Sequence, residues 1–288
     1  MPANSQGYVT LSSSKKRDIA SLAEFIFGEY QVDGRIDPVR IIEAKHITLN
    51  YGRYENAFDG MLEHLSGRFH IYCNLDRVGD KHSPRARFTL CHELGHFFND
   101  DHRNALAAGA APAHPSASEY ESDLLVEQEA DCFAANLLMP EILFRGKANS
   151  FGLGLAAICA LAKAFGTSVT STAIRYASLG LSGCVVIKWN AERVAWRWYS
   201  DVSRNAGFRK VIDQRTAVVD GSATALAFSG VPVPEKGYHE SVTTAAYWFP
   251  TVDLGGWKDG LLKEHAISLG RFGVLTILFP IGAWPGSL

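Results

Sequence analysis

The pentapeptide His92-Glu93-Leu94-Gly95-His96 constrains this 288-residue chain more than any other stretch. Two histidines four apart on an α-helix project from the same face, one turn apart, so both imidazoles can grip one metal ion while Glu93 between them offers a base. Five residues of this kind also arise by chance, so the downstream residues have to supply the rest of the site. A hydrolytic zinc site takes three protein ligands and keeps a fourth position for water, and the third side chain has to come from elsewhere.

Two segments offer it. Ser122 to Met139, SDLLVEQEADCFAANLLM, carries apolar residues at helical spacing, with Ser122 or Asp123 as a cap and Pro140 as a stop. On that helix Glu127 and Asp131 stand one turn apart. Glu127 can bind the metal while Asp131 accepts a hydrogen bond from the other ring nitrogen of a ligating histidine. The pattern is that of thermolysin-like, glutamate-liganded zinc enzymes. The rival is His102, because HELGHFFNDDH (His92 to His102) matches the metzincin pattern except that Asn99 stands where glycine is expected, and asparagine tolerates a left-handed backbone. Met139 could then be the Met-turn methionine, although it ends a helix, and Glu127 and Asp131 would be left unexplained. Glu129 is a third candidate, without an acceptor one turn on.

The stretches RFTLCHELGH (Arg87 to His96) and EQEADCFAANLLMP (Glu127 to Pro140) together resemble the ImmA/IrrE family of metallopeptidases. The resemblance implies that His92, His96 and Glu127 are metal ligands, that Glu93 is catalytic and that Asp131 stands at a position usually held by Asn or Asp. It implies a zinc-dependent endopeptidase acting on a helix-turn-helix transcriptional repressor, whose cleavage releases a stress or mobile-element response. The spacer from Phe97 to Ser122 departs from relatives, being long and containing AAGAAPAHPSAS. Such a site hydrolyses peptides without a covalent intermediate, Glu93 taking a proton from water and passing it to the leaving amine. His102, Tyr120, Arg85 and Arg87 are the candidates for stabilising the oxyanion. Arg85 and Arg87 could equally hold the start of the helix. Two imidazoles and a carboxylate suit Zn2+ and also accept Mn2+, Fe2+ or Co2+.

The expected fold is α+β: a zincin-like metallopeptidase domain over 1–146, a helix-turn-helix-like segment over 147–182, and a β-rich domain over 183–288. In the first, helices at Lys15 to Tyr30 and Pro38 to Ala44 precede strands in ITLNYG, NAFDGMLEHL and GRFHIYCNL. Phe58 to Leu65 is expected at the sheet edge, where a zinc peptidase receives substrate as an added strand. His64 and His70 read as strand-surface residues. Gly152 to Gly180 outlines two helices joined at Gly166-Thr167-Ser168, but its second helix carries only Arg175 as a charge, too little for a DNA reader. After Gly183 come short strands, including CVVIKW, ERVAWRWYS, AAYWFP and HAISLGRFGVLTILFP. The family resemblance implies a GAF-like sensor there, with Trp196, Trp198, Trp248 and Trp257 read as core or interface.

A net charge of −2 gives no global reason to expect nucleic-acid binding. No continuous apolar run of about 18 residues appears, and the first residues contain no secretory signal, so no membrane partner and a cytoplasmic protein are expected. The five cysteines, Cys73, Cys91, Cys132, Cys159 and Cys184, are odd in number and scattered, and are expected to be reduced core residues. The competing function is a regulator that keeps the zincin scaffold and works by binding a protein or DNA.

Overall fold

The computed structural model describes residues 11–110, 114–116, 125–206, 212, 216–249 and 260–282. The chain divides into two compact units, Met1–Leu143 with Phe165–Ser168, and Phe144–Ala164 with Val169–Leu288. The architecture is α+β, as expected.

The first unit opens with α1 (Ser13–Tyr30), whose first turn is capped by the Ser12 hydroxyl accepting from the Lys15 N–H. In α2 (Pro38–Ala44), Asp37 caps and Pro38 takes the first turn, where its missing N–H costs nothing. β1 (Thr48–Gly52), β2 (Gly60–Leu65) and β3 (Arg68–Asn74) come next, then the short α3 (Leu75–Val78). Ser66 and Gly67, both at positive φ, form the two-residue turn that lets β2 fold back on β3 with Leu65 opposite Arg68. β3 buries Ile71 and Cys73, while Phe69 stays half-buried. Asn74 ends it as a buried polar residue that donates to the Glu55 and Phe58 carbonyls and accepts from the Tyr54 and Asp76 N–H groups.

α4 (Pro84–Phe98) carries the pentapeptide, and α5 (Asp100–Ala107) begins directly after it, with Asn99 ending one helix and capping the next. β4 (His114–Ser116) and α6 (Leu125–Leu138) complete the unit apart from the start of the next helix and Phe165–Ser168. The strand order is β1-β3-β2-β4, with β1 parallel to β3 and the other pairs antiparallel. One expectation is corrected here. β2 is not an edge over Gly60–Leu62, because a short strand from the spacer pairs with it there.

α4 and α6 form the core of the unit. Leu90, Leu94, Ala130, Phe133, Ala134 and Leu137 are buried between them and their neighbours. Phe98 stacks on Phe133 with ring centroids 5.7 Å apart. Gly95 sets the spacing: a Cβ there would lie 2.9 Å from the Ala130 Cα and 3.2 Å from the Phe133 Cβ. Only a residue without a side chain allows this approach, since backbone atoms cannot give way as a flexible side chain would.

The second unit takes in most of α7 (Glu141–Phe151), then α8 (Leu155–Phe165) and α9 (Val169–Ser178), which meet at 111°. The remaining elements are β5 (Val185–Asn190), β6 (Arg193–Tyr199), α10 (Asp201–Asn205), α11 (Ala223–Ser229), β7 (His239–Thr244), α12 (Ala245–Trp248), β8 (Leu261–Ser268) and β9 (Val274–Pro280). The five strands form one antiparallel sheet in the order β6-β5-β9-β8-β7. Val185, Ile187, Trp189, Trp248, Leu262 and Leu278 belong to its buried core, and Trp189 meets Trp248 edge to face at 6.2 Å. Trp248 is therefore core; Trp196 and Trp198 are half-buried, and Trp257 lies outside the described residues. AAYWFP, expected as a strand, begins with the helical turn α12, and the strand of that region is β7 just before it.

Beneath α11, the buried Glu264 carboxylate accepts from the Thr224 N–H and hydroxyl, and Thr224 shares a hydrogen bond with Thr276. Thr276 accepts from the Trp189 indole N–H, which closes a polar chain from helix to sheet. All five cysteines are free. Burial pushes the thiols of Cys73, Cys91 and Cys184 up to about 12, so they stay protonated. Among the described residues no single helix is long and apolar enough to cross a membrane.

Substituting Gly95→Ala forces α4 and α6 apart at their closest point. We expect a loss of about 1–3 kcal/mol in urea unfolding. A variant as stable as wild type would mean that the helices have slack at this contact.

Candidate metal centre

Ser83 and Pro84 start α4 with a side-chain cap and a residue that has no N–H to waste. Arg85 and Arg87 hold its first turns. Arg85 reaches the fully buried Asp59, which also takes Arg77 at 2.8 Å. The Arg87 guanidinium donates to the Ile36, Phe165 and Gly166 carbonyls. Both arginines thus help to hold the helix start, and Tyr120 lies outside the described residues.

Two turns further on, His92 and His96 present their Nε2 atoms 3.1 Å apart. From α6, Glu127 brings Oε2 to 3.1 Å from His92 Nε2 and Oε1 to 3.4 Å from His96 Nε2. The three ligand-type atoms lie within 4.8 Å of one another, and the histidines are at most 3% exposed. Ligands on a tetrahedral zinc at about 2.0–2.1 Å stand about 3.3–3.4 Å from each other, close to these separations. The donor set fits a divalent ion chemically as well: two imidazole nitrogens held this close, facing a carboxylate, place three electron-rich atoms around one point.

The outer atoms of the histidines are held too. Asp131 Oδ1 lies 2.8 Å from His92 Nδ1 and accepts its hydrogen bond, which would turn the Nε2 lone pair to the centre once an ion displaces the proton held there. Behind His96 stands His102, the two Nδ1 atoms 3.1 Å apart, and His102 Nε2 is 3.3 Å from Glu129 Oε2. Asn99 donates to the same Glu129 oxygen at 2.5 Å, and Lys15 pairs with it at 3.3 Å.

His102 and Glu129 therefore do not join the cluster as ligands; they form its outer support. The reason is local. Asn99 has φ −78° and ψ 113°, extended rather than left-handed, and α5 begins immediately, so His102 is turned to the back of His96. The metzincin bend is absent, and Met139 is a buried residue at the end of α6. Sequence reasoning missed the Glu129–His102–His96 chain. Its signal was the pair of carboxylates two apart on α6, which cannot share one helix face.

Glu93 is fully buried, and β2 passes directly over it: a Cβ on Gly60 would come within 2.6 Å of Glu93 Oε1 and 2.5 Å of Thr89 Cγ2. A glycine at position 60 is what lets the strand lie so close to the glutamate, a requirement that strand periodicity does not reveal.

Charge is distributed unevenly in the cluster. Burial alone lowers the basicity of His92, but the Asp131 and Glu127 carboxylates outweigh it and raise His92 well above its ordinary value. Burial lowers His96 despite Glu127 beside it, with charged His92 adding to the effect. Burial raises Glu127, but hydrogen bonds to the two histidines prevail and hold it far below the usual carboxylate range. In the metal-free cluster His92 is thus the imidazole that holds its proton more tightly.

Residues 79–176, which include α4 and α6, match the family model for the IrrE N-terminal-like domain, Peptidase_M78. Over that stretch the resemblance to the ImmA/IrrE family is borne out. No curated protein matches. Among solved structures the chain is similar to a Mycobacterium tuberculosis transcriptional regulator, with 12% identity and a TM-score of 0.57 over 92% of this chain and 76% of that one. At that identity the likeness is one of fold.

Two measurements check the centre. Glu127→Ala is expected to abolish stoichiometric zinc binding, while Asp131→Ala and His102→Ala keep the ion with affinity lowered about 10- to 100-fold. Loss of zinc on His102→Ala with retention in Glu127→Ala would reverse the assignment. Because the ion must displace the His92 proton, which the Asp131 and Glu127 carboxylates hold above the ordinary histidine range, affinity should rise with pH through and above that range, with release of protons on zinc binding at neutral pH. Calorimetry in buffers of different ionisation enthalpy reads that proton directly, and its absence would contradict the charge distribution.

Proposed function

We propose that this protein is a zinc-dependent endopeptidase and that its substrate is a helix-turn-helix transcriptional repressor. The observation that carries the reading is the convergence of His92 Nε2, His96 Nε2 and Glu127 at 3.1–3.4 Å, with Glu93 on the same helix turn. The Peptidase_M78 match supports metallopeptidase chemistry. A divalent ion bound there would supply a Lewis acid for the scissile carbonyl and acidify a water molecule. We assign zinc for its donor set, while manganese, iron and cobalt suit the same ligands.

The chain's own residues do the rest. Glu93 accepts a proton from the attacking water as the new C–O bond forms, then delivers it to the amide nitrogen as the C–N bond breaks. Asp131 and the Glu129–His102 pair keep the imidazoles in the tautomer and orientation the centre needs. Gly60 lets the backbone of β2 lie over Glu93, where an extended peptide backbone would be presented.

We assign the peptidase to 1–146, a helical segment to 147–182 and a GAF-like sensor to 183–288, the region that holds the five-stranded antiparallel sheet. Direct DNA reading fits less well: Thr170, Ser171, Thr172, Arg175 and Tyr176 of α9 are buried, so that helix has little to offer a groove. The setting is a cytoplasmic stress or mobile-element response. A binding-only regulator on the same scaffold is the competing reading, favoured by the name of the similar M. tuberculosis protein.

Glu93→Gln separates the two. The variant should keep its zinc and its unfolding midpoint, yet cut a repressor encoded beside this gene roughly 10²- to 10⁴-fold more slowly than wild type. If regulation in cells carrying the variant is unchanged, the protein acts by binding.

A further inference from the structure

The outer edge of β2 at Gly60–Leu62 lies beside Glu93 and is where an extended peptide could be held by main-chain hydrogen bonds. In this structure β4 is paired there: Gly60 stands opposite Ser116, Met61 opposite Pro115 and Leu62 opposite His114, antiparallel. We propose that β4 stands in the place of the substrate strand, so that the protein rests self-blocked and a substrate must displace its own His114–Ser116 segment. The inference rests on the peptidase reading above and adds its regulation.

Proline determines how this short strand can pair. An antiparallel ladder alternates hydrogen-bonded and non-hydrogen-bonded pairs, and Pro115 has no N–H to give. Met61 and Pro115 therefore form a non-hydrogen-bonded pair, with Gly60–Ser116 and Leu62–His114 as the bonded pairs on either side. The position where Pro115 lacks its N–H then lies on the outer side of β4, away from β2. A further strand adding outside β4 would miss a ladder bond at that point, as prolines on sheet edges commonly arrange. An incoming peptide gains a full ladder only by taking the place of β4 on β2.

The exchange is also favoured by length. β4 contributes three residues, whereas β2 runs six, and no described strand pairs with the outer side of Glu63–Leu65. A longer peptide can start on Glu63–Leu65 and advance through Leu62 to Gly60. The burial of the centre agrees: with β4 in place, Glu93 and His96 are fully buried and His92 is 3% exposed. β4 comes from the Phe97–Ser122 spacer between the two helices, the stretch that contains AAGAAPAHPSAS.

The non-hydrogen-bonded pair is where side chains of opposed strands come closest, so it is the position for a reversible lock. In the zinc-loaded full chain, Met61→Cys with Pro115→Cys is oxidised, and the intramolecular bond is confirmed by mass spectrometry against each single variant. Binding of a hydroxamate-capped alanine tripeptide is then measured by calorimetry before and after reduction with a phosphine. The oxidised form should bind at least about tenfold more weakly than the reduced form of the same variant. Equal affinities, or no binding by the reduced form, overturn the inference. Cleavage of a peptide mixture is measured on the same samples. Lock-dependent binding without any Glu93-dependent cleavage would defeat the peptidase reading alone, and cleavage indifferent to the lock would defeat the self-block alone.

Discussion

The close contact of α4 and α6 at Gly95 is the constraint on which the centre depends. Helix axes ordinarily stay about 8–10 Å apart because side chains separate them. Here a missing side chain lets Ala130 and Phe133 come up against the backbone of α4, one residue before His96. Glu127 lies one turn before that contact on α6, and Asp131 immediately after it. Both carboxylates therefore arrive at the ring nitrogens of His92, one on each side of the imidazole. Moving the helices apart by the width of a methyl group would undo both contacts together.

Burying two imidazoles and their carboxylates is costly unless their charges are compensated. The arrangement compensates them from outside inward. Lys15 and Asn99 hold Glu129, Glu129 holds His102, and His102 holds His96, while Asp131 does the same for His92. The metal-facing atoms are left without a rigid scaffold of their own. What fixes them is packing and hydrogen bonding on their far sides, so the geometry of the centre is built before any ion arrives.

Much of the first unit was legible because its signals are local. Helical spacing of apolar residues with Pro140 as a stop marked α6, the four-residue spacing of the histidines marked α4, and the alternation along β3 marked its buried face. The helix-borne residues His92, Glu93, His96, Glu127 and Asp131 were legible for the same reason: their spacing along each helix fixes their direction. His102 was not, because its side chain depends on the extended conformation of Asn99 between two helices, which asparagine adopts as readily as the left-handed one. The pairing of β4 was also hidden. A three-residue strand containing proline has no periodicity to read, and it is stabilised by a partner more than fifty residues earlier in the chain. In the second unit α12 was mistaken for a strand because Ala245 to Phe249 is short, apolar and aromatic, where tertiary context decides.

The path of the chain has a practical consequence. It leaves the first unit after Leu143, forms α7 and α8, and supplies Phe165–Ser168 to the first unit before α9 returns to the second. Arg87, which steadies the beginning of α4, has two of its three carbonyl acceptors in that returning tetrapeptide. Expressing residues 1–143 alone would leave this guanidinium with the Ile36 carbonyl and without the other two, so a cut at that single boundary takes away part of what steadies the helix bearing His92 and His96.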